Sequence, residues 1–282
     1  MKNQKNKTLN SVILLTITAL IAILLSSCNR DCKDLTSKEL SITCPIQGVI
    51  IDGPWDVNIV QDSVTNSAVI EYCSSREDKI TAELLGGYLH LKIRGVFRNK
   101  VLRANINATS LEKIEASGAA TIRTSGYFGG LNDISLSGAT TLNGLSGEGN
   151  FTTLTLSGAS TIKDFKFIGN TMNANLSGAS NVKFTNMDIE YFTVDCSGAS
   201  KLESSGYAAK TSFTASGASD LETLRLESED LDVDLSGAST AAILVNNAIK
   251  GRLVGASTLK YKGTANVSNV STSGGSTIIS LN

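Results

Sequence analysis

The chain is 282 residues long and carries 25 Lys and Arg against 26 Asp and Glu, a formal net charge of −1. With no basic cluster and no series of stacking aromatics, this balance excludes nucleic acid as the expected partner. A single histidine, no zinc-ligand spacing, no phosphate-cradling Gly-rich loop and no Ca²⁺-binding nonapeptide leave no metal and no cofactor to expect.

Residues 1–27 read as a signal peptide. Lys2, Lys5 and Lys7 precede an uncharged, strongly apolar run from Val12 to Leu25, too short to span a bilayer stably and followed by no stop-transfer pattern. The run ends in Leu25-Ser26-Ser27-Cys28, which resembles the lipobox at which bacterial lipoproteins are cut before a cysteine. Cys28 is the expected lipidation site, and several acyl chains there would attach the protein to a membrane without a transmembrane helix. The expected location is the cell envelope of a Gram-negative bacterium, as an outer-membrane lipoprotein on the surface or the periplasmic face.

Residues 28–45 are polar and of mixed charge and read as a lipidated tether. Across residues 46–108, Val57-Asn58-Ile59, Val69-Ile70-Glu71-Tyr72 and Leu89-His90-Leu91-Lys92-Ile93 alternate as half-buried strands, with Gly86-Gly87 as a turn. This region is expected to cap the leading end of the structure that follows. His90 lies between two leucines and is expected to face solvent, which leaves a Ser-His-Asp triad without its base. Asp62-Ser63-Val64 resembles a three-residue O-glycosylation acceptor, placing Ser63 as a modification candidate. In an oxidising compartment one disulfide is expected among Cys32, Cys44 and Cys73, with the pairing left open.

Residues 109–282 are built on a repeat. Ser-Gly-Ala or a close variant recurs around Gly118, Gly138, Gly158, Gly178, Gly198, Gly217, Gly237, Gly255 and Gly274, at steps of 18 to 20 residues. Three residues before the motif serine stand Ile114, Ile134, Leu154, Ala174, Val194, Phe213 and Val233, and one residue before it Ala116, Leu136, Leu156, Leu176, Cys196, Ala215 and Leu235. Five residues after it the position is apolar again, from Ile122 through Ile278. Apolar-x-apolar spacing gives strands with one face buried, and a glycine in every unit excludes helix. A unit of about 20 residues with short strands and corners is one coil of a parallel β-solenoid, stacked roughly 4.8 Å from the next. Each glycine is expected at a corner needing positive φ, with the following alanine pointing inward. Cys196 fills a leucine position and reads as a buried free thiol.

Three outward features are candidate sites. Four residues after the motif serine runs a column containing Thr121, Thr141, Thr161, Thr240, Thr258 and Thr277, interrupted by Asn181, Lys201 and Asp220; it could face a ligand repeatedly. Glu227, Glu229, Asp230, Asp232 and Asp234 form an acidic patch, read mainly as a solvated face. At the C-terminus, Ser276-Thr277-Ile278-Ile279-Ser280-Leu281 presents an edge strand without charge or proline, with Ile279 outward, which suggests end-to-end self-association or a partner there.

The strand, Gly turn and Asp-Val-x-Ile strand of Val49-Ile50-Ile51-Asp52-Gly53-Pro54-Trp55-Asp56-Val57-Asn58-Ile59, together with the serial Ser-Gly-Ala unit, resemble the auto-transporter adhesin head domain, or GIN domain, family of bacterial lipoproteins. The resemblance implies an all-β fold, a right-handed single-stranded parallel β-helix. The expected function is a lipid-anchored, adhesin-like module that binds surface glycan or protein by repetition and is not an enzyme; repeated weak contacts multiply affinity roughly 10²–10⁴-fold. The alternatives are a carbohydrate-active β-helix using the Glu227–Asp234 carboxylates and a purely structural envelope protein.

Overall fold

A computed structural model describes residue 32 and residues 34–95 and 101–281. Cys28 and the expected signal peptide lie outside the described residues. The strands in chain order are β1 (Leu35–Glu39), β2 (Gly48–Asp52), β3 (Asp56–Gln61), β4 (Ser67–Cys73), β5 (Ile80–Leu85), β6 (Tyr88–Ile93), β7 (Leu102–Ala108), β8 (Lys113–Ser117), β9 (Thr121–Ser125) and β10 (Asp133–Leu136). They continue as β11 (Thr141–Asn143), β12 (Ser146–Leu156), β13 (Thr161–Leu176), β14 (Asn181–Cys196), β15 (Lys201–Ala215), β16 (Asp220–Leu235), β17 (Thr240–Leu253), β18 (Thr258–Lys262), β19 (Asn266–Thr272) and β20 (Thr277–Ser280). Among the described residues the one helical element is a short 3₁₀ segment at Ser74–Lys79.

From β8 onward every pairing is parallel and displaced by one repeat, so Ile114, Ile134, Leu154, Ala174, Val194, Phe213 and Val233 form one continuous inward column. This is a parallel β-solenoid with about 20 residues per coil. Each central coil has three pairing segments, such as Thr141–Asn143, Ser146–Gly149 and Phe151–Leu156. They define a first, second and third face, counted from the Ser-Gly-Ala corner. The inward apolar positions flanking the motif are buried from Ile114 through Leu259, and Ile278 in the last coil is half-buried. The core also holds more aromatic mass than the sequence pattern suggests. Phe165, Phe184, Phe192 and Phe213 touch in series, with ring centroids 5.2–6.2 Å apart, and fill the middle of the stack.

The corners are built on backbone hydrogen bonds between coils. All nine motif glycines have φ between 69° and 85°. From Ala139 through Ala256 the corner alanine N–H donates to the glycine carbonyl of the coil below, as Ala179 N to Gly158 O at 2.8 Å, and Gly275 does the same in the last corner. The expectation that this alanine points inward is corrected here: Ala139, Ala159 and Ala179 are exposed, and the following residue turns in instead. Thr140, Ser160, Ser180, Ser200, Ser219, Ser239 and Ser257 are therefore buried. Each satisfies its hydroxyl by donating to the carbonyl three residues back, as Ser200 Oγ to Ser197 O at 2.8 Å. The inward phase is kept across the corner: Leu136, Thr140 and Leu142 are buried, while Ser137, Gly138 and Ala139 stay outside.

The N-terminal end is woven rather than stacked in chain order. β2 lies between β6 and β8, and β3 between β7 and β9, so residues 48–61 are inserted between strands β6 and β7 on one side and the first repeat on the other. Asp52 stands in register with Ser117, and Gly53, at φ 112°, sits under Gly118 as the first corner. The outer edge of β7 is covered by antiparallel β4, β4 in turn by β1, and the edge of β6 by antiparallel β5. The stretch expected to be a free tether thus contains a paired strand, Leu35–Glu39, because its backbone closes an edge that would otherwise stay unpaired. Cys32 is bonded to Cys73 at the end of β4, while Cys44 is exposed and free. Cys196 is buried and free, and burial pushes its thiol up to about 12. At the other end, β19 pairs only with β17 and β20 only with β18.

Candidate functional site

The first face carries the column in unbroken register: Asp56, Thr121, Thr141, Thr161, Asn181, Lys201, Asp220, Thr240, Thr258 and Thr277 are paired coil to coil. The column threonines are half-buried or exposed, so their hydroxyls border solvent. Two residues further along each coil runs a second outward row, in which Lys183, Glu203, Glu222, Ala242 and Lys260 are in register. Where the threonines give way, the two rows are cross-linked. Lys201 Nζ lies 3.2 Å from Glu203 and 2.9 Å from Glu222, and Lys183 reaches Glu203 at 3.8 Å. Desolvation holds the Asp220 carboxyl above the usual carboxylate range, with Glu222 beside it acting the same way and Lys201 and Lys260 opposing. This side of the stack combines hydroxyls, balanced charge and a partly dehydrated acid. It offers hydrogen bonds in both directions without a net field.

The acidic patch is on the other side of the coil and is answered by the coil above. Asp232 pairs with Lys250 at 3.3 Å and Asp234 with Arg252 at 2.7 Å. Asn246 and Asn247 donate to Glu227 and Asp230, both at 2.7 Å. These contacts between coils give the carboxylates a structural occupation, and among the described residues no cluster of His, Cys, Asp and Glu could hold a metal ion. Glu229 is exposed on the same strand. His90 is half-buried on β6, opposite Ile50 and Glu83, with no serine in either register position. Asp62, beside Ser63, closes its own turn by accepting from the Val64 and Thr65 N–H groups at 2.8 and 3.1 Å; these bonds, with that from the Thr65 hydroxyl, hold its carboxyl low. Ser63 is exposed at the tip of that turn.

Among the described residues no helix is long and apolar enough to cross a membrane. Three solved structures share the fold. One, named as a "putative" lipid binding protein from Parabacteroides distasonis, superposes with a TM-score of 0.69 at 14% identity, covering 89% of this chain and 98% of its own. A "putative" adhesin from Parabacteroides merdae gives 0.63 at 15%, covering 89% and 98%, and another from Parabacteroides distasonis gives 0.62 at 17%, covering 88% and 94%. No curated protein matches the chain. A family model described as "Putative auto-transporter adhesin, head GIN domain" matches residues 45–265, from the cap through the last full coil, and the chain belongs to that family.

Proposed function

We propose that this protein is a lipid-anchored envelope module of adhesin type, held to the outer membrane through Cys28 and binding a surface glycan or protein along the first face of its solenoid. The carrying observation is the in-register column from Thr121 to Thr277, which repeats one outward hydroxyl contact on most coils. A rigid ladder of this kind lets weak contacts add without ordering a flexible loop. The anchor would be short. Three residues lie between Cys28 and Cys32, which is fixed to the cap by its disulfide, so the lipid attachment would lie within about 14 Å of the folded body. The cap end would face the membrane and the repeats would project away.

Replacing Cys28 with alanine is expected to leave an uncut precursor, while the wild type partitions into detergent. Protease shaving of intact cells that removes the wild type would place it on the exterior. A soluble mature protein beginning at any residue other than 28 overturns the anchor.

A second partner surface is proposed at the C-terminal end, because β19 and β20 each keep one unpaired edge while the N-terminal end is closed by antiparallel strands. Ile279 is 41% exposed on that edge. Closed N-terminal ends disfavour head-to-tail stacking, so self-association would join two C-terminal ends. Light scattering is expected to show a dimer that Ile279→Lys reduces to monomer. A monomer in both proteins removes this second surface.

A further inference from the structure

The first face is not uniform. Between the coils of residues 181 and 260 it opens into a groove of about 550 Å³, and its lining includes Ser204, Asp220, Glu222, Arg225, Ala242 and Lys260. The groove has a local cause. In the outward row where neighbouring coils carry Glu222 and Lys260, the intervening coil carries Ala242, so one rung lacks a long side chain. The strand pairing also slips beside it, between Glu203 and Ser205 and between Thr223 and Glu227, which widens the corner toward the second face.

We propose that this groove is a binding site for a neutral oligosaccharide chain laid across the coils. The inference rests on the surface-binding reading above and deepens it by naming a subsite and a ligand class. Its lining carries three carboxylates, Glu203, Asp220 and Glu222, against three cations, Lys183, Arg225 and Lys260, so it offers no field for a polyanion or a polycation. Sugar hydroxyls both donate and accept: they can donate to Asp220 and Glu222 and accept from Lys260 and Arg225. Ala242 and Leu224 supply apolar wall for the C–H face of a ring. Coils repeat at roughly 4.8 Å, a length comparable to one pyranose in an extended chain, so successive sugars would meet successive rungs. The raised proton affinity of Asp220 fits a carboxyl that is partly dehydrated before any ligand arrives.

The test uses the full mature chain and calorimetric titration with cello-, chito- and manno-oligosaccharides, with polygalacturonate as the anionic comparison. Binding is expected for at least one neutral series and not for the polyanion. Ala242→Lys, which places in the gap the residue that Lys260 already presents in the next coil, should keep the fold and weaken binding at least tenfold. Preference for polygalacturonate, or equal affinity in the Ala242→Lys protein, overturns the proposal, as does failure of every neutral series to bind. Adherence of cells that survives Ala242→Lys would show that the groove is not the ligand site while the broader surface-binding function stands.

Discussion

Gly178→Val is expected to destabilise the protein by at least about 3 kcal/mol, because two independent costs fall on one atom. Gly178 has φ 73°, a conformation that a β-branched residue adopts only with strain. A Cβ built there would also stand 2.6 Å from the carbonyl oxygen of Gly158, which is backbone and already accepts the Ala179 N–H. Relief would require separating two coils at the corner. Ser177→Ala is expected to cost much less, on the order of 1 kcal/mol or below, since its half-buried hydroxyl makes one long bond of 3.3 Å to Leu156 O. Urea unfolding of the two variants beside wild type measures both. Equal losses would show that the motif serine, and not the glycine, holds the corner.

Phe192→Ala should cost about 3–5 kcal/mol, the range for deleting a large buried ring from a core that cannot close over the space. Phe192 is 1% exposed and packs edge-on against Phe184 at 5.6 Å on one side and Phe213 at 6.2 Å on the other. The coils are held at fixed spacing by their hydrogen bonds, so the walls cannot move in along the stack. Phe192→Leu should recover most of the loss by refilling volume. Thermal unfolding decides between this and a compliant core: a loss below about 1 kcal/mol for the alanine variant would mean that neighbouring rings swing into the gap.

The repeat made much of the solenoid readable from residues alone. A glycine every 18 to 20 residues, flanked by period-two apolar positions, fixes strand identity, the inward set and the coil length. Each of these depends on the local backbone, and a parallel stack copies one local solution many times. The outward threonine column was legible for the same reason. What lay beyond the pattern was whatever depends on residues far apart or on the path of the chain through a corner. Ile51 pairs with Ala116 across 65 positions, and nothing in either strand announces that β6 and β7 pair beneath β2 and β3. Closing edges decided that weave, because an unpaired strand edge finds the nearest complementary backbone whatever its place in the chain.

The second corner was equally hidden. Along successive coils it is met by Gly144 at φ 77°, Asp164 at φ 57° and Asn186 at φ 67°, so no single letter marks it. The buried serine ladder was missed by one position: the alanine after each glycine was expected inward, and the residue after it is the one that turns in. The groove at Ala242 needed both facts at once. A single alanine is unremarkable in sequence, and it becomes a site only because the register sets it between Glu222 and Lys260. The sequence by itself determined the solenoid and its repeating outer surface, since those follow from short-range periodicity. Tertiary structure alone decided how the ends are closed and where the regular face is broken, because both depend on which coils become neighbours.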